Sequence, residues 1–278
     1  MSAPTLDLVA TKAGHEPRTI AIEVLTDEEV SVLVPDRGVV VAPVLDEVPE
    51  ADRDAVRRTA YRGLLARGIV EAPDPEAVAA AAAAPPGPSG DVALDLRVRN
   101  DVLSALTLRS AATAVVAVGR TTAEAQDFWY AHLVEEVVLV EQVGTDGLHR
   151  FSLGHARDLP DLLRAVAVHP DARDGAGEEV ELAVAPDSEA PAELVERLGR
   201  AYLRADVLVV RREAGAPVEA PELTGVFTGP EGSWSVVSRP GSQRAWARPE
   251  TAAGVVRRVE GLAAQARAAV TATAGGQP

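Results

Sequence analysis

The chain has 278 residues, no cysteine and a formal net charge of -15. Its hydrophobic content of 47% and charged content of 25% are those of a globular protein, which excludes wholesale disorder. The lack of cysteine excludes disulfides and thiolate chemistry, and the negative charge disfavours non-specific binding to nucleic acid. Because no stretch is apolar for the length that a bilayer requires, we expect a cytoplasmic protein without a membrane partner.

A strand followed by a short helix is predicted at the start of the chain. Residues 19–24 alternate between apolar and polar side chains as a strand does. Thr26 and Glu29 then stand at the spacing of a capping box, in which each side chain hydrogen-bonds to the backbone N–H of the other residue. This spacing predicts that a helix begins directly after Thr26.

A longer helix is predicted over residues 50–67, with Gly68 as the residue that ends it. Residues 76–90 then pass from an alanine run into a segment rich in proline and glycine, which predicts a linker.

Five segments beyond the linker are predicted to be successive strands. The connections between them are too short for helical crossovers, which favours an antiparallel meander. The segments are residues 92–98, 104–109, 112–118, 128–133 and 137–143.

Two β-hairpins closed by glycine turns indicate an internal repeat. The turns are Gly144-Thr145-Asp146-Gly147 and Gly229-Pro230-Glu231-Gly232, and an amphipathic helix follows each hairpin. We therefore expect a single domain of two similar halves in which the two hairpins occupy equivalent places. The expected bounds are 1–278 for the domain, 19–168 and 179–270 for the halves, and 271–278 for a flexible tail.

The sequence contains no recognisable catalytic or ligand-binding constellation. The histidines form no H-x-x-x-H or H-E-x-x-H pair, and neither a nucleophile elbow nor a glycine-rich phosphate loop follows any predicted strand. We expect surface or loop histidines, no metal, no cofactor and no enzymatic activity, although His149 and His155 flank one hairpin strand and could meet carboxylates. The histidines are His15, His132, His149, His155 and His169.

The aromatic run Phe128-Trp129-Tyr130 is the best candidate for a partner-binding surface. Strand alternation places Phe128 and Tyr130 on one face of the sheet and Trp129 on the other. If one of these faces is exposed, the aromatic rings on it are expected to anchor a partner protein. In the alternative, helices cover both faces and the three rings belong to the core.

Four motifs follow one another along the chain. They are L-T-D-E-E-V at 25–30, V-P-D-R-G at 34–38, a helix over 58–70 that ends in R-G-I-V, and a closing hairpin and helix over 225–262. In this order they resemble the motifs of the EspG family, the secretion-associated proteins of actinobacterial type VII (ESX) secretion systems.

This resemblance implies an α+β fold in which antiparallel sheets flanked by helices are arranged with pseudo-two-fold symmetry. It also implies a cytosolic chaperone, monomeric or dimeric, that binds helical secretion substrates of the PE/PPE or WXG100-like type before export. No contact residue is carried over from the family. The alternative is a cytoplasmic regulatory or small-ligand-binding α+β protein with two sheet halves around a groove.

Overall fold

The computed structural model describes residues 19–34, 36–76, 79, 83, 97–184, 190–212 and 220–274. The predicted linker at 76–90 and the predicted strand at 92–98 lie largely outside these residues. Within the described part, ten strands form one sheet in which every pair of neighbours is antiparallel, and helices pack on both faces. The α+β fold with antiparallel strands and flanking helices is therefore confirmed.

The strands lie in the order β1-β5-β4-β3-β2-β7-β8-β9-β10-β6 across the sheet. They are β1 (Ile20–Thr26), β2 (Ala114–Thr121), β3 (Gln126–Val134), β4 (Val137–Gly144), β5 (Leu148–His155), β6 (Val180–Ala183), β7 (Leu203–Arg211), β8 (Leu223–Thr228), β9 (Ser233–Ser238) and β10 (Arg244–Glu250). The helices are α1 (Asp27–Leu33), α2 (Pro43–Glu47), α3 (Glu50–Ala66), α4 (Asn100–Ala111), α5 (Leu159–Ala167), α6 (Ala192–Gly199) and α7 (Ala252–Ala274).

We call the side of the sheet that carries α5 and α7 the rear face, and the opposite side the front face. On the rear face, Leu163 of α5 and Val259 of α7 are fully buried against strand residues such as Val116 and Val207. The side chains come from alternate positions of each strand, as the two-residue period of a strand requires. This is the largest apolar core of the described residues.

The front face carries helices at its two ends. At one end, α1, α3 and α4 pack on β1, β4 and β5 around Leu25, Leu64 and Leu106. At the other end, α6 packs through Leu194 on Trp234 of β9. The helices of the front face thus form two separate apolar clusters, whereas those of the rear face share one.

The predicted helix ends agree with the structure near the start of the chain. Thr26 Oγ1 accepts a hydrogen bond from the Glu29 N–H at 3.2 Å, and the Glu29 carboxylate accepts one from the Thr26 N–H at 3.1 Å. The capping box is therefore confirmed. The helix predicted over 50–67 is α3, which ends at Ala66, two residues before Gly68.

One prediction of secondary structure is wrong. Residues 104–109, predicted to be a strand, belong to the helix α4, because Val102, Ala105, Leu106 and Arg109 are buried at the spacing of one helix face. The last helix, α7, continues to Ala274.

The two glycine turns do not occupy equivalent places in the sheet. The turn at 144–147 joins β4 to β5, whereas the turn at 229–232 joins β8 to β9. The strands β2 and β7 are the central pair of the sheet. Going outward from this pair, β8 has the position on one side that β3 has on the other, and β9 has the position that β4 has. Gly147 and Gly232 both have positive φ, so the two turns have similar sequences because each needs a residue in the left-handed backbone conformation. The similarity does not indicate equivalent positions in a repeat.

Two of the three aromatic side chains in the run are buried, one on each face of the sheet. Trp129 lies in the rear core with 3% of its surface exposed, Tyr130 is buried on the front face, and Phe128 is half-buried beside it. The predicted alternation is correct. Of the two alternatives, burial in the core holds for Trp129, which α5 and α7 cover, and for Tyr130, which Val40 and Val41 cover. Trp129 is a core residue.

Replacement of Trp129 by alanine should therefore lower the free energy of unfolding by about 3 to 5 kcal/mol, the usual cost of a large cavity in a core. Leu103→Ala, at a largely exposed position of α4, is the matched control and should change it by less than about 0.5 kcal/mol. Urea denaturation measures both values, and equal stabilities for the two variants would contradict the placement of Trp129.

Candidate functional site

A buried carboxylate, Glu141 of β4, is the centre of a polar network on the front face. Its Oε2 accepts hydrogen bonds from Arg109 Nε at 2.9 Å and from His132 Nε2 at 2.8 Å. Its Oε1 accepts one from His149 Nδ1 at 2.6 Å. These partners come from α4, β3 and β5, so one side chain connects a helix with three adjacent strands.

His149 extends the network to the start of α1. Its Nε2 lies 2.7 Å from Asp27 Oδ1, while Asp27 Oδ2 accepts hydrogen bonds from the backbone N–H groups of Val44 and Leu45 at 2.7 and 3.0 Å. Asp27 therefore links β5 to the first turn of α2, because one of its carboxylate oxygens contacts each element. We call residues 36–48, which contain α2, the strap.

Both ring nitrogens of His149 face carboxylate oxygens, so the charged imidazole with two N–H groups satisfies both contacts. Burial lowers the pKa of His149, but the hydrogen bonds with Asp27 and Glu141 outweigh burial and leave it raised. Burial raises the pKa of Glu141, but hydrogen bonds from His132 and His149 and the charge of Arg109 leave it well below its usual range. The charges of the network sum to zero, since Arg109 and His149 are cations and Asp27 and Glu141 are anions.

Further contacts hold the strap on the sheet. The Val41 N–H donates to the Tyr130 hydroxyl at 3.2 Å. The Arg109 guanidinium donates to the backbone carbonyls of Asp36 and Arg37 at 3.5 and 3.3 Å. Burial raises the pKa of Tyr130 to about 12, the hydrogen bond from Val41 opposes this shift, and the charge of Glu141 adds to it. The hydroxyl therefore stays protonated at neutral pH.

A cavity of about 350 Å³ lies between the strap and the sheet. Val39 and Val40 of the strap and Val115 and Val210 of the sheet form its apolar walls. Its polar lining includes His132, Arg109 and Arg212. A second cavity of about 260 Å³, near α6 and the β8–β9 turn, is lined by Arg197, Arg200, Phe227 and Trp234 among others.

Two buried side-chain atoms of the described residues have no hydrogen-bond partner, His132 Nδ1 and Thr113 Oγ1. Buried polar atoms are nearly always paired with a hydrogen-bond partner, so an unpaired atom of this kind is unusual. Both atoms are enclosed by the protein.

The expected surface or loop location is wrong for two histidines. His132 and His149 are each only 2% exposed, because they lie on the inner strands β3 and β5 beneath helices and the strap. The expectation that His149 and His155 could meet carboxylates is confirmed, His155 Nδ1 lying 3.8 Å from Glu136 Oε2. His15 lies outside the described residues.

Sequence reasoning missed this network because its members are far apart in the chain. The hairpin turns could have predicted part of it. They set a register in which Tyr130 pairs with Glu141 and Val143 pairs with His149. This register places His132, Glu141 and His149 on one face of the sheet. The positions of Asp27 and Arg109 could not be predicted in this way, because they depend on how α1 and α4 pack.

Within the described ranges, no group of three or more histidine and acidic side chains has the arrangement of a metal site. Nor is any helix in that part of the chain both long and apolar enough to cross a membrane.

No protein-family model and no curated protein matches the sequence. Among solved structures, this chain is similar to the Mycobacterium tuberculosis type VII secretion system chaperone EspG5, in a structure of its complex with the PE25-PPE41 dimer. The alignment covers 88% of this chain and 96% of that chain, with 12% identity and a TM-score of 0.44. At this degree of likeness, the function has to be inferred from the residues of this chain.

Glu141→Gln should lower the free energy of unfolding by about 3 to 5 kcal/mol, because it leaves the buried Arg109 without its carboxylate. Glu136→Gln, on the exposed β3–β4 turn, is the control and should change it by less than about 0.5 kcal/mol. Chemical denaturation of both variants tests this, and a fully stable Glu141→Gln protein would contradict the role of the carboxylate.

The network should also make the free energy of unfolding depend on pH, with the greatest stability between the pH values at which Glu141 and His149 titrate. His149 binds its proton more tightly in the folded state, so its contribution is complete below its ordinary pKa of 6.5 and is lost as the pH rises through the raised value. Glu141 has a lowered pKa, so its contribution is complete above 4.5 and is lost as the pH falls.

Urea unfolding between pH 6 and 9 should show wild-type stability falling by at most about 1.4 kcal/mol per pH unit above the ordinary pKa of histidine. In His149→Gln this fall should be absent. Parallel profiles for the two proteins would show that another group causes the dependence.

Proposed function

We propose that the protein is a non-catalytic cytoplasmic chaperone that binds helical secretion substrates of the PE/PPE or WXG100-like type. The proposal is motivated by the order of the EspG-like motifs in the sequence. The observation that carries it is an apolar stretch of the front face whose side chains keep part of their surface exposed.

This open face lies between the strap and α6. Its side chains come from neighbouring strands, they point to the front by the register of the sheet, and they are only partly buried. We define the open face as Ala117, Phe128, Leu208, Leu223 and Val236. Of the three aromatic residues selected from the sequence, Phe128 alone belongs to it.

The size of the open face suits a helical partner. It extends from β3 to β9, four strand spacings or about 19 Å. A helix with its side chains is about 10 Å wide, so the ends of two adjacent helices fit across this width. Exposed apolar surface of this kind is typical of protein-binding sites.

Charge favours both specificity and solubility of the proposed chaperone. Arg204 and Asp206 form an ion pair of 2.7 Å on the same face, and the Arg204 guanidinium also lies 5.6 Å from the centre of the Phe227 ring. Such a pair orients a partner without adding net charge. The overall charge of -15 keeps a protein with an apolar surface from self-association.

The sheet order supports two halves, at about 19–168 and 179–270. Each half has an outer strand, then helical segments, then four consecutive antiparallel strands, then a rear-face helix. We propose that these are structural repeats joined at β2 and β7. In this arrangement the open face lies mainly on the second half, because the strap covers the corresponding part of the first.

Leu223→Asp should weaken client binding by about 2 kcal/mol or more, a hot-spot effect of roughly thirtyfold, because it places a charge on the open face. Leu223 is 38% exposed, so the fold should tolerate the change. Val195→Asp, on α6 at 55% exposure, is the matched control and should bind normally.

The test is co-expression with small helical proteins of the PE/PPE or WXG100-like type, chosen from neighbouring genes, followed by co-purification and calorimetry of the variants. Failure of every such substrate to form a complex would overturn the proposed function. Equal affinities of the two variants would overturn the assignment of the open face.

A further inference from the structure

An acidic side chain, Asp206 of β7, lies at the centre of the open face. Its neighbours in the sheet register are Gly119 on β2 and Gly225 on β8, and the next residues outward are Phe128 and Val236, both members of the open face. The Asp206 side chain keeps 31% of its surface exposed. A partner that covers the open face must therefore also accommodate this carboxylate.

The protein satisfies only one of the two carboxylate oxygens. Asp206 Oδ2 lies 2.7 Å from Arg204 Nη2, whereas no group of the described residues donates a hydrogen bond to Oδ1. Removing water from an unpaired carboxylate oxygen costs free energy. The partner therefore has to supply a hydrogen-bond donor among its apolar groups.

Arg204 decides which kind of donor fits. Its guanidinium already balances the charge of Asp206 and also lies 5.6 Å from the centre of the Phe227 ring. A lysine or arginine of the partner would bring a second full positive charge close to this guanidinium and would be repelled by it. The donor that fits best is an N–H group with only a partial positive charge.

The two glycines allow a close approach beside Asp206. A Cβ atom at Gly119 would meet only the Phe128 ring, at 3.8 Å, so little covers β2 at this point. A Cβ atom at Gly225 would lie 3.3 Å from Asp206 Oδ1, so the missing side chain lets the carboxylate lie against β8. Glycine inside a strand often marks a place where another backbone comes close. The glycines therefore favour a backbone donor of the partner.

The N-terminus of an α-helix has the required properties. Its first N–H groups have no partner within the helix, and the helix dipole gives this end about half a positive charge. Aspartate is among the residues preferred as a cap of these groups. A helix is about 10 Å wide, which matches the two strand spacings between Gly119 and Gly225.

We propose that Asp206 caps the N-terminus of a helix at the tip of the client. The inference rests on the proposed function and names the part of the client that the open face recognises. Asp206 Oδ1 accepts hydrogen bonds from the first backbone N–H groups of the client helix, whose end lies over Gly119. Apolar side chains of the tip pack on Phe128, Leu208 and Leu223.

Calorimetry with a client that co-purifies with the wild-type protein tests the proposal. Asp206→Ala should weaken binding about tenfold, the effect of a lost helix cap. Asp206→Asn should bind within about twofold of wild type, because asparagine caps helices about as well as aspartate does. Asp161→Ala, on the rear-face helix α5, is the matched control and should bind normally.

Gly119→Val tests the close approach independently of Asp206. The added side chain occupies the space over β2 and should weaken client binding about tenfold. The thermal unfolding temperature should not fall, because valine suits the interior of a strand and its Cβ atom has room at this position. Weaker binding at unchanged stability therefore separates recognition from folding.

Three results would overturn the proposal while the complex still forms and the proposed function stands. The first is wild-type affinity of Asp206→Ala. The second is a loss in Asp206→Asn as large as that in Asp206→Ala, which identifies a cationic side chain as the donor. The third is wild-type affinity of Gly119→Val. Failure of every candidate client to bind the wild-type protein would instead overturn the proposed function, and this inference with it.

Discussion

The arrangement of the first half of this protein depends on one constraint, the burial of the Glu141 carboxylate. A buried ionised carboxylate is stable only when cations and hydrogen-bond donors surround it. Arg109, His132 and His149 meet that requirement, and each arrives on a different element. The packing of α4 on the sheet, and through Asp27 the position of the strap, are therefore linked to a single side chain.

The second half of the sheet is built without such a centre. Its front face is closed at the outer end by α6, where Leu194 and Trp234 form a small apolar cluster. No strap crosses its middle in the described residues, so Leu208, Leu223 and Val236 keep part of their surface exposed. The strap thus covers the front face of the first half apart from Ala117 and Phe128, whereas the middle of the second half stays accessible.

This asymmetry separates the cavity beneath the strap from the open face proposed for client binding. The continuous core on the rear face, with α5 and α7, supports the whole sheet and leaves the front face free for recognition. The open face offers width and apolar surface to a protein partner. The cavity beneath the strap is small and partly polar, because the strap that closes it is anchored by charged groups.

The sequence alone determined the features that depend on neighbours in the chain. The capping box at Thr26, the course of α3 and the strands at 112–118, 128–133 and 137–143 follow from spacing and alternation within a few residues. Residues 104–109 of α4 were predicted to be a strand, because a short apolar stretch is compatible with the period of a strand and with that of a helix. In the structure, the burial of Arg109 together with Val102, Ala105 and Leu106 shows the helical period.

Only the tertiary structure decided which faces are covered and which distant groups meet. Alternation placed Trp129 correctly on one face, but its burial depends on α5 and α7, which follow it in the chain by about 30 and 120 residues. Asp27 and His149 are 122 positions apart and meet only because β1 pairs with β5. Contacts of this kind depend on the packing of whole elements, and local sequence patterns carry no record of it.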